Sequence, residues 1–147
     1  MKVERVTPIL NVSDVPASLA WFAALGWERG FSWNSAGSIA NAADRNEHGP
    51  ATFAGVCSAD AEIFLCKDAQ GSRGGAVPRH VGDDDTGGVW MSWWMRGASE
   101  VDELYALALQ HGFDVAQPPC DKPWGVRECH LHHPDGHTIR VSAGIGE

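Results

Sequence analysis

The segment Pro123-Trp124-Gly125-Val126-Arg127-Glu128-Cys129-His130-Leu131-His132-His133-Pro134-Asp135-Gly136-His137 holds the densest collection of reactive side chains in the chain. Four histidines, a cysteine and a glutamate fall between Glu128 and His137. Imidazole, thiolate and carboxylate are the side chains that bind zinc and its neighbours in the first transition row, so metal chemistry is the first possibility to weigh. If the segment is a strand, its side chains alternate. Glu128, His130 and His132 then share one face, and Cys129, Leu131 and His133 share the other. His-x-His with a glutamate is a legitimate partial ligand set. The competing expectation is a row of exposed or half-buried imidazoles at a sheet edge, with His133 and His137 facing solvent around the Pro134-Asp135-Gly136 turn. No Ser-His-Asp or Cys-His arrangement points to nucleophilic catalysis, and no catalytic residue is assigned.

Elements that could position these groups follow from periodicity. Arg5 to Val12 alternates like a strand. Ser13-Asp14 can cap a helix with Pro16 in its first turn and Val15, Leu19, Phe22 and Ala23 on one face. Gly26 closes that helix and Trp27 opens the next strand. Ala51 to Ser58 and Ala61 to Asp68 read as two strands around a tight turn at Ala59-Asp60. Residues 69–88, rich in glycine and charge and without period, form a loop. The plan then repeats. Val89 to Met95 is a strand, and Ser99 with Asp102 resembles a capping box. Val101, Leu104, Tyr105 and Ala108 make a helical face ended by Gly112. Arg127 to His132 and Thr138 to Val141 are shorter strands. Each half therefore follows a βαβββ plan, with module one over about 1–68 and module two over about 89–147.

Composition sets the remaining bounds. The 147 residues suffice for a compact domain with its own core, and 44% hydrophobic against 20% charged residues is ordinary for a globular protein. No signal segment or bilayer-length apolar run is recognisable, so a cytoplasmic location without membrane contact is expected. The four cysteines show no C-x-x-C and are expected to be reduced. A net charge of −8 argues against a nucleic-acid partner and suits a cationic small molecule. Seven tryptophans are many for this length, and an indole serves equally as core or as the wall of a binding site.

Four segments together resemble the vicinal oxygen chelate superfamily of glyoxalases, extradiol dioxygenases, fosfomycin-resistance enzymes and bleomycin-resistance proteins. They are VTPILNVSDVPASLAWF at the start, FAGV leading into the EIFL strand, WWMRG followed by VDELYA, and PWGVRECHLHHPDGH. The PWG-x-RE and PDG elements are closest to the bleomycin-resistance branch. The resemblance implies an α+β fold in which two βαβββ modules form a cupped mixed sheet around a central cleft. Two departures stand out: His133 occupies a position where the family usually has Asp, and the stretches 34–50 and 69–88 are longer than is typical.

The metal-using members imply ligands on four strands. The corresponding positions here are Thr7, the strand opening at Val89-Trp90-Met91, and the neighbourhood of Ile139-Arg140-Val141, which leaves Glu62 as the one recognisable ligand. No metal or other cofactor is expected on that basis. Members of the bleomycin-resistance branch are not catalysts; they are interlocked or domain-swapped homodimers that sequester a flat cationic glycopeptide between aromatic walls. By resemblance, Trp124 and Phe53 are stacking residues, and Trp90, Ser92 and Trp94 share a face towards the cleft. For Trp90 and Trp94, core and cleft both remain open; Trp21, Trp27 and Trp93 are expected in the core. Phe31 and Trp33 could line the entrance. Asp84, within Asp83-Asp84-Asp85, is either part of a solvated run or a negative rim for a cation. The expected function is non-catalytic sequestration of a planar cationic small molecule such as a bleomycin-family antibiotic. The alternatives are a metal-dependent lyase or dioxygenase of the same superfamily, or a binding domain for another metabolite.

Overall fold

The structure is a computed structural model describing residues 1–69, 71, 73 and 88–146. The chain divides into two compact units, Met1–Gly71 and Ser72–Glu147.

In the first unit β1 (Ile9–Val12) runs into helix α1 (Val15–Ala24), followed by β2 (Glu28–Asn34), the short β3 (Gly37–Ser38), β4 (Arg45–Asn46) and β5 (Gly49–Pro50), then β6 (Phe53–Ser58) and β7 (Ala61–Lys67). Asp14 caps α1 by accepting the Ala17 N–H at 3.0 Å, and Pro16 sits in the first turn, where no N–H partner is needed. The sheet order is β1-β7-β6-β2-β3. Leu10, Val12, Ala54, Val56, Ile63 and Leu65 are buried on one face with Val15, Leu19 and Phe22 of the helix. Trp21 and Trp27 flank Phe22 edge-on, at 5.0 and 5.6 Å between ring centres, so both belong to this core. The 34–50 stretch is tied down by a buried carboxylate: both Asp44 oxygens accept from Arg29 Nε at 2.7 and 2.9 Å.

The second unit repeats the plan with β8 (Trp90–Trp94), α2 (Ala98–Gln110), β9 (Asp114–Lys122), β10 (Val126–His132) and β11 (Thr138–Gly144), in sheet order β8-β11-β10-β9. In both units the strand before the helix lies parallel to the last strand: β1 on β7, and β8 on β11. Cys129, Leu131, Ile139, Val141 and Trp93 are buried with Val101, Leu104 and Ala108 of α2. Gly97, not Ser99, is the N-cap of α2, and it has no side-chain cap bond. Glu100 supplies the anchor instead, its carboxylate accepting the Arg96 N–H at 2.8 Å. Among the described residues no helix is long and apolar enough to cross a membrane.

Strand β9 was not apparent from periodicity because Pro118-Pro119 interrupts it. Among the described residues it is an edge strand, bonded to β10 alone and with irregular register between Glu128 and Leu131, which is where a sheet tolerates residues without an N–H.

Candidate functional site

The register of the second sheet places one set of side chains on the face away from α2. Pairing runs Trp90–Thr138–His132–Asp114, then Ser92–Arg140–His130–Gln117, then Trp94–Ser142–Glu128–Cys120. Directly paired residues project to the same side, so these rows lie on a single surface. Trp90 and Trp94 are 51% and 69% exposed there, and Ser92 between them is exposed, while Trp93 points the other way and keeps only 7%. The β8 alternation expected from sequence therefore sets Trp90, Ser92 and Trp94 on the helix-free face and Trp93 in the core.

Glu128 is the hub of this face. Its Oε1 receives Arg140 Nη2 at 3.1 Å and His130 Nε2 at 3.0 Å, and its Oε2 receives Arg140 Nη2 at 3.0 Å and the Ser142 hydroxyl at 3.2 Å. The side chain is 2% exposed. Burial alone would push the carboxyl's pKa up, but the bonds from His130 and Arg140, together with their charge, outweigh it and hold the group below its usual range. In the next row His132 Nδ1 meets Asp114 Oδ2 at 2.9 Å. β10 is an interior strand, so Glu128, His130 and His132 are all buried, contrary to the expectation of imidazoles on a sheet edge.

This donor set does not suit a metal. Arg140 already places a fixed cation against both oxygens of Glu128, so a divalent ion would have to displace it. In the first unit Glu62 accepts from Thr7 Oγ1 at 3.4 Å and lies 3.7 Å from Arg5. Among the described residues no group of three or more His, Cys, Asp or Glu side chains converges to hold an ion.

The first unit carries an aromatic floor on its own helix-free face. Phe31 stacks on Phe53 at 5.6 Å, Trp33 lies tilted against Phe53 at 5.6 Å, and Phe64 meets Phe31 and Phe53 at 5.6 and 5.3 Å. Phe31 and Trp33 are exposed and Phe53 half-buried. Gly55 makes the floor possible, because a Cβ there would come within 2.5 Å of the Phe31 ring.

Trp124 stands in the β9–β10 turn, which Gly125 closes with φ +84°. The indole is 62% exposed, and Lys122 Nζ lies 5.7 Å above its ring, so one face already holds a cation. Asp84 lies outside the described residues. His133 and His137 are not solvent-facing: they are 2% and 0% exposed, with ring centres 5.5 Å apart. His133 Nδ1 accepts the Asp135 N–H at 3.0 Å, and His137 Nδ1 accepts the Val89 N–H at 3.1 Å. Acceptance at Nδ1 leaves the ring proton on Nε2 of each.

Sequence reasoning missed two participants, Phe64 and the Arg140–Glu128 pair. The second had a signal. A hairpin centred on Asp135 pairs His130 with Arg140 and Glu128 with Ser142, so Arg140 and Glu128 become diagonal neighbours on one face.

The sequence matches none of the curated proteins compared with it. Solved structures with a similar fold include TioX from Micromonospora sp. ML1 (TM-score 0.66, 18% identity, covering 98% of this chain and 98% of that one). A bleomycin-binding protein complexed with bleomycin is similar at TM-score 0.60 and 16% identity, covering 97% and 99%. The fosfomycin resistance protein FosX from Listeria monocytogenes matches at TM-score 0.65 and 14% identity, covering 98% and 95%. At such identities the likeness speaks for fold alone. The family model matches residues 2–141, nearly the whole chain: the protein belongs to the glyoxalase/bleomycin resistance protein/dioxygenase superfamily.

Proposed function

We propose that this protein binds and sequesters a planar, cationic small molecule of the bleomycin class without chemical turnover, as an interlocked homodimer in the cytoplasm. The observation that carries the reading is the pair Trp90 and Trp94, 51% and 69% exposed on a sheet face whose central carboxylate, Glu128, is already matched by Arg140, His130 and Ser142. Large exposed indoles on a rigid strand are costly to keep in water and well suited to stacking on flat rings. The aromatic floor of Phe31, Trp33, Phe53 and Phe64 adds a second apolar surface. The charge of −8 favours a cationic partner. The likeness to a bleomycin-binding protein supports the choice of drug class, and the Arg140–Glu128 pair weighs against metal-dependent lyase or dioxygenase chemistry.

Titration of tryptophan fluorescence with bleomycin, metal-free and copper-loaded, tests this. Saturable quenching at micromolar drug that weakens about five- to thirtyfold in Trp94→Ala is the expected result, given roughly 1–2 kcal/mol per stacked ring. Absence of saturable quenching with both drug forms would rule out the bleomycin class. Light scattering at a single chain mass would rule out the homodimer.

A further inference from the structure

Between the two exposed tryptophans the sheet presents one polar spot, and the geometry points to its ligand chemistry: we propose that Arg140 and Ser92 form a subsite for an uncharged carbonyl acceptor on the bound ring system, such as an aryl carboxamide. The inference rests on the stacking reading above and adds a polar specificity element to it. Ser92 is the register partner of Arg140 and lies midway between Trp90 and Trp94, about 7 Å along the strand from each. One ring with one exocyclic carbonyl spans that distance.

The guanidinium is held but only partly used. Among the described residues, both of its hydrogen bonds leave from Nη2 and end on Glu128. Its Nε is buried without a partner, and the side chain keeps 33% of its surface exposed. Arginine carries five N–H donors, more than the two oxygens of Glu128 engage here. Glu128 is gripped from three sides, by Arg140, His130 and Ser142, so the guanidinium is fixed before any ligand arrives. That pre-organisation saves the ordering cost a free arginine would bring. Among the described residues the hydrogen bonds of Arg140 leave Nη1 unengaged, and the Ser92 hydroxyl is exposed, so both can donate to a ligand.

The charge balance selects an uncharged acceptor. Glu128 already offsets Arg140 at 3.0 Å, so a second carboxylate would leave a net negative charge on the face of a chain that is itself at −8. A carbonyl accepts the same N–H without adding charge.

Three probes share a flat cationic ring and differ only in the acceptor: 1-methylquinolinium, its 3-carboxamide and its 3-carboxylate. Quenching titrations of the intact protein are expected to show the carboxamide binding about tenfold more tightly than the parent, the effect of one hydrogen bond to a charged donor. The carboxylate gains less. Ser92→Ala reduces the carboxamide's advantage, and the double variant Glu128→Gln/Arg140→Met, which leaves no buried charge unpaired, abolishes it. Equal affinity for parent and carboxamide, an advantage that survives in the double variant, or tightest binding by the carboxylate overturns the inference and leaves stacking intact. No saturable quenching by any probe removes both.

Discussion

At the scale of single residues, two buried groups carry chemistry that their solvated counterparts would not. His133 stands where the family resemblance implies Asp, and its Nδ1 accepts the N–H two residues ahead, at Asp135. That is the bond an aspartate or asparagine makes in an Asx turn, so the imidazole substitutes for a carboxylate in holding the turn. Burial, reinforced by the neighbouring His137 and opposed by Asp135, lowers its pKa from 6.5 to about 4. The unfolded chain then binds a proton between pH 6.5 and 4 that the folded chain refuses. Stability is full above about pH 6.5 and falls as the pH drops towards 4, by up to about 3 kcal/mol. His133→Asn keeps the turn's acceptor and removes the titration. Denaturant midpoints measured from pH 7 to 4.5 should therefore decline less steeply in the variant, and parallel slopes would show that His133 does not titrate in this window. The second group is Glu128. Arg140→Met strands its charge and is expected to cost about 3 kcal/mol, while adding Glu128→Gln recovers most of the loss. A double variant no more stable than the single one would refute the coupling.

At the scale of elements, the same substitution at two glycines should have opposite outcomes. A Cβ at Gly88 would lie 2.3 Å from the Gly136 carbonyl oxygen, a backbone atom fixed by the β10–β11 turn. The start of β8 is bonded to this turn, with Val89 donating to His137 and accepting from the Thr138 N–H at 2.9 Å. Gly88→Ala must part the two segments, a cost of about 1–3 kcal/mol that also moves Trp90. The nearest atoms to a Cβ at Gly55 all belong to the Phe31 ring, a side chain that is exposed and can turn aside. Gly55→Ala is therefore expected to leave thermal stability within about 1 kcal/mol of the parent while breaking the Phe31–Phe53 stack. Melting curves for both variants check the contrast. The elements themselves were largely legible. Asp14 caps α1 as its residue type suggests, and the alternation of Trp90, Ser92 and Trp94 against Trp93 follows directly from the strand's period of two. Legibility failed where long-range pairing decided the outcome. Pro118-Pro119 hid an edge strand, and the burial of His133 and His137 depends on how β8 packs against a turn 48 residues further along.

At the scale of the whole molecule, the charge pattern separates attraction from recognition. Of the 11 basic residues, Arg5, Arg29, Arg127 and Arg140 are each spent on ion pairs with Glu62, Asp44, Asp102 and Asp121, and Glu128. The 19 acidic residues are left in excess, and the resulting field acts on any approaching cation. The stacking surfaces are different in kind: Trp90, Trp94, Phe31 and Trp33 are uncharged, and their attraction to a flat ring does not depend on ions in solution. A cationic ligand should then sense both contributions and a neutral ring only one. Raising ionic strength from about 0.02 to 0.5 M shortens the screening length from roughly 20 Å to below 5 Å. Association of 1-methylquinolinium should slow several-fold over that range, with its dissociation rate little changed. Quinoline itself, measured above its pKa, should show neither change. Stopped-flow fluorescence resolves the two rates. Acceleration of the dissociation step alone would place the electrostatic contribution in the bound contact rather than in the field of the molecule.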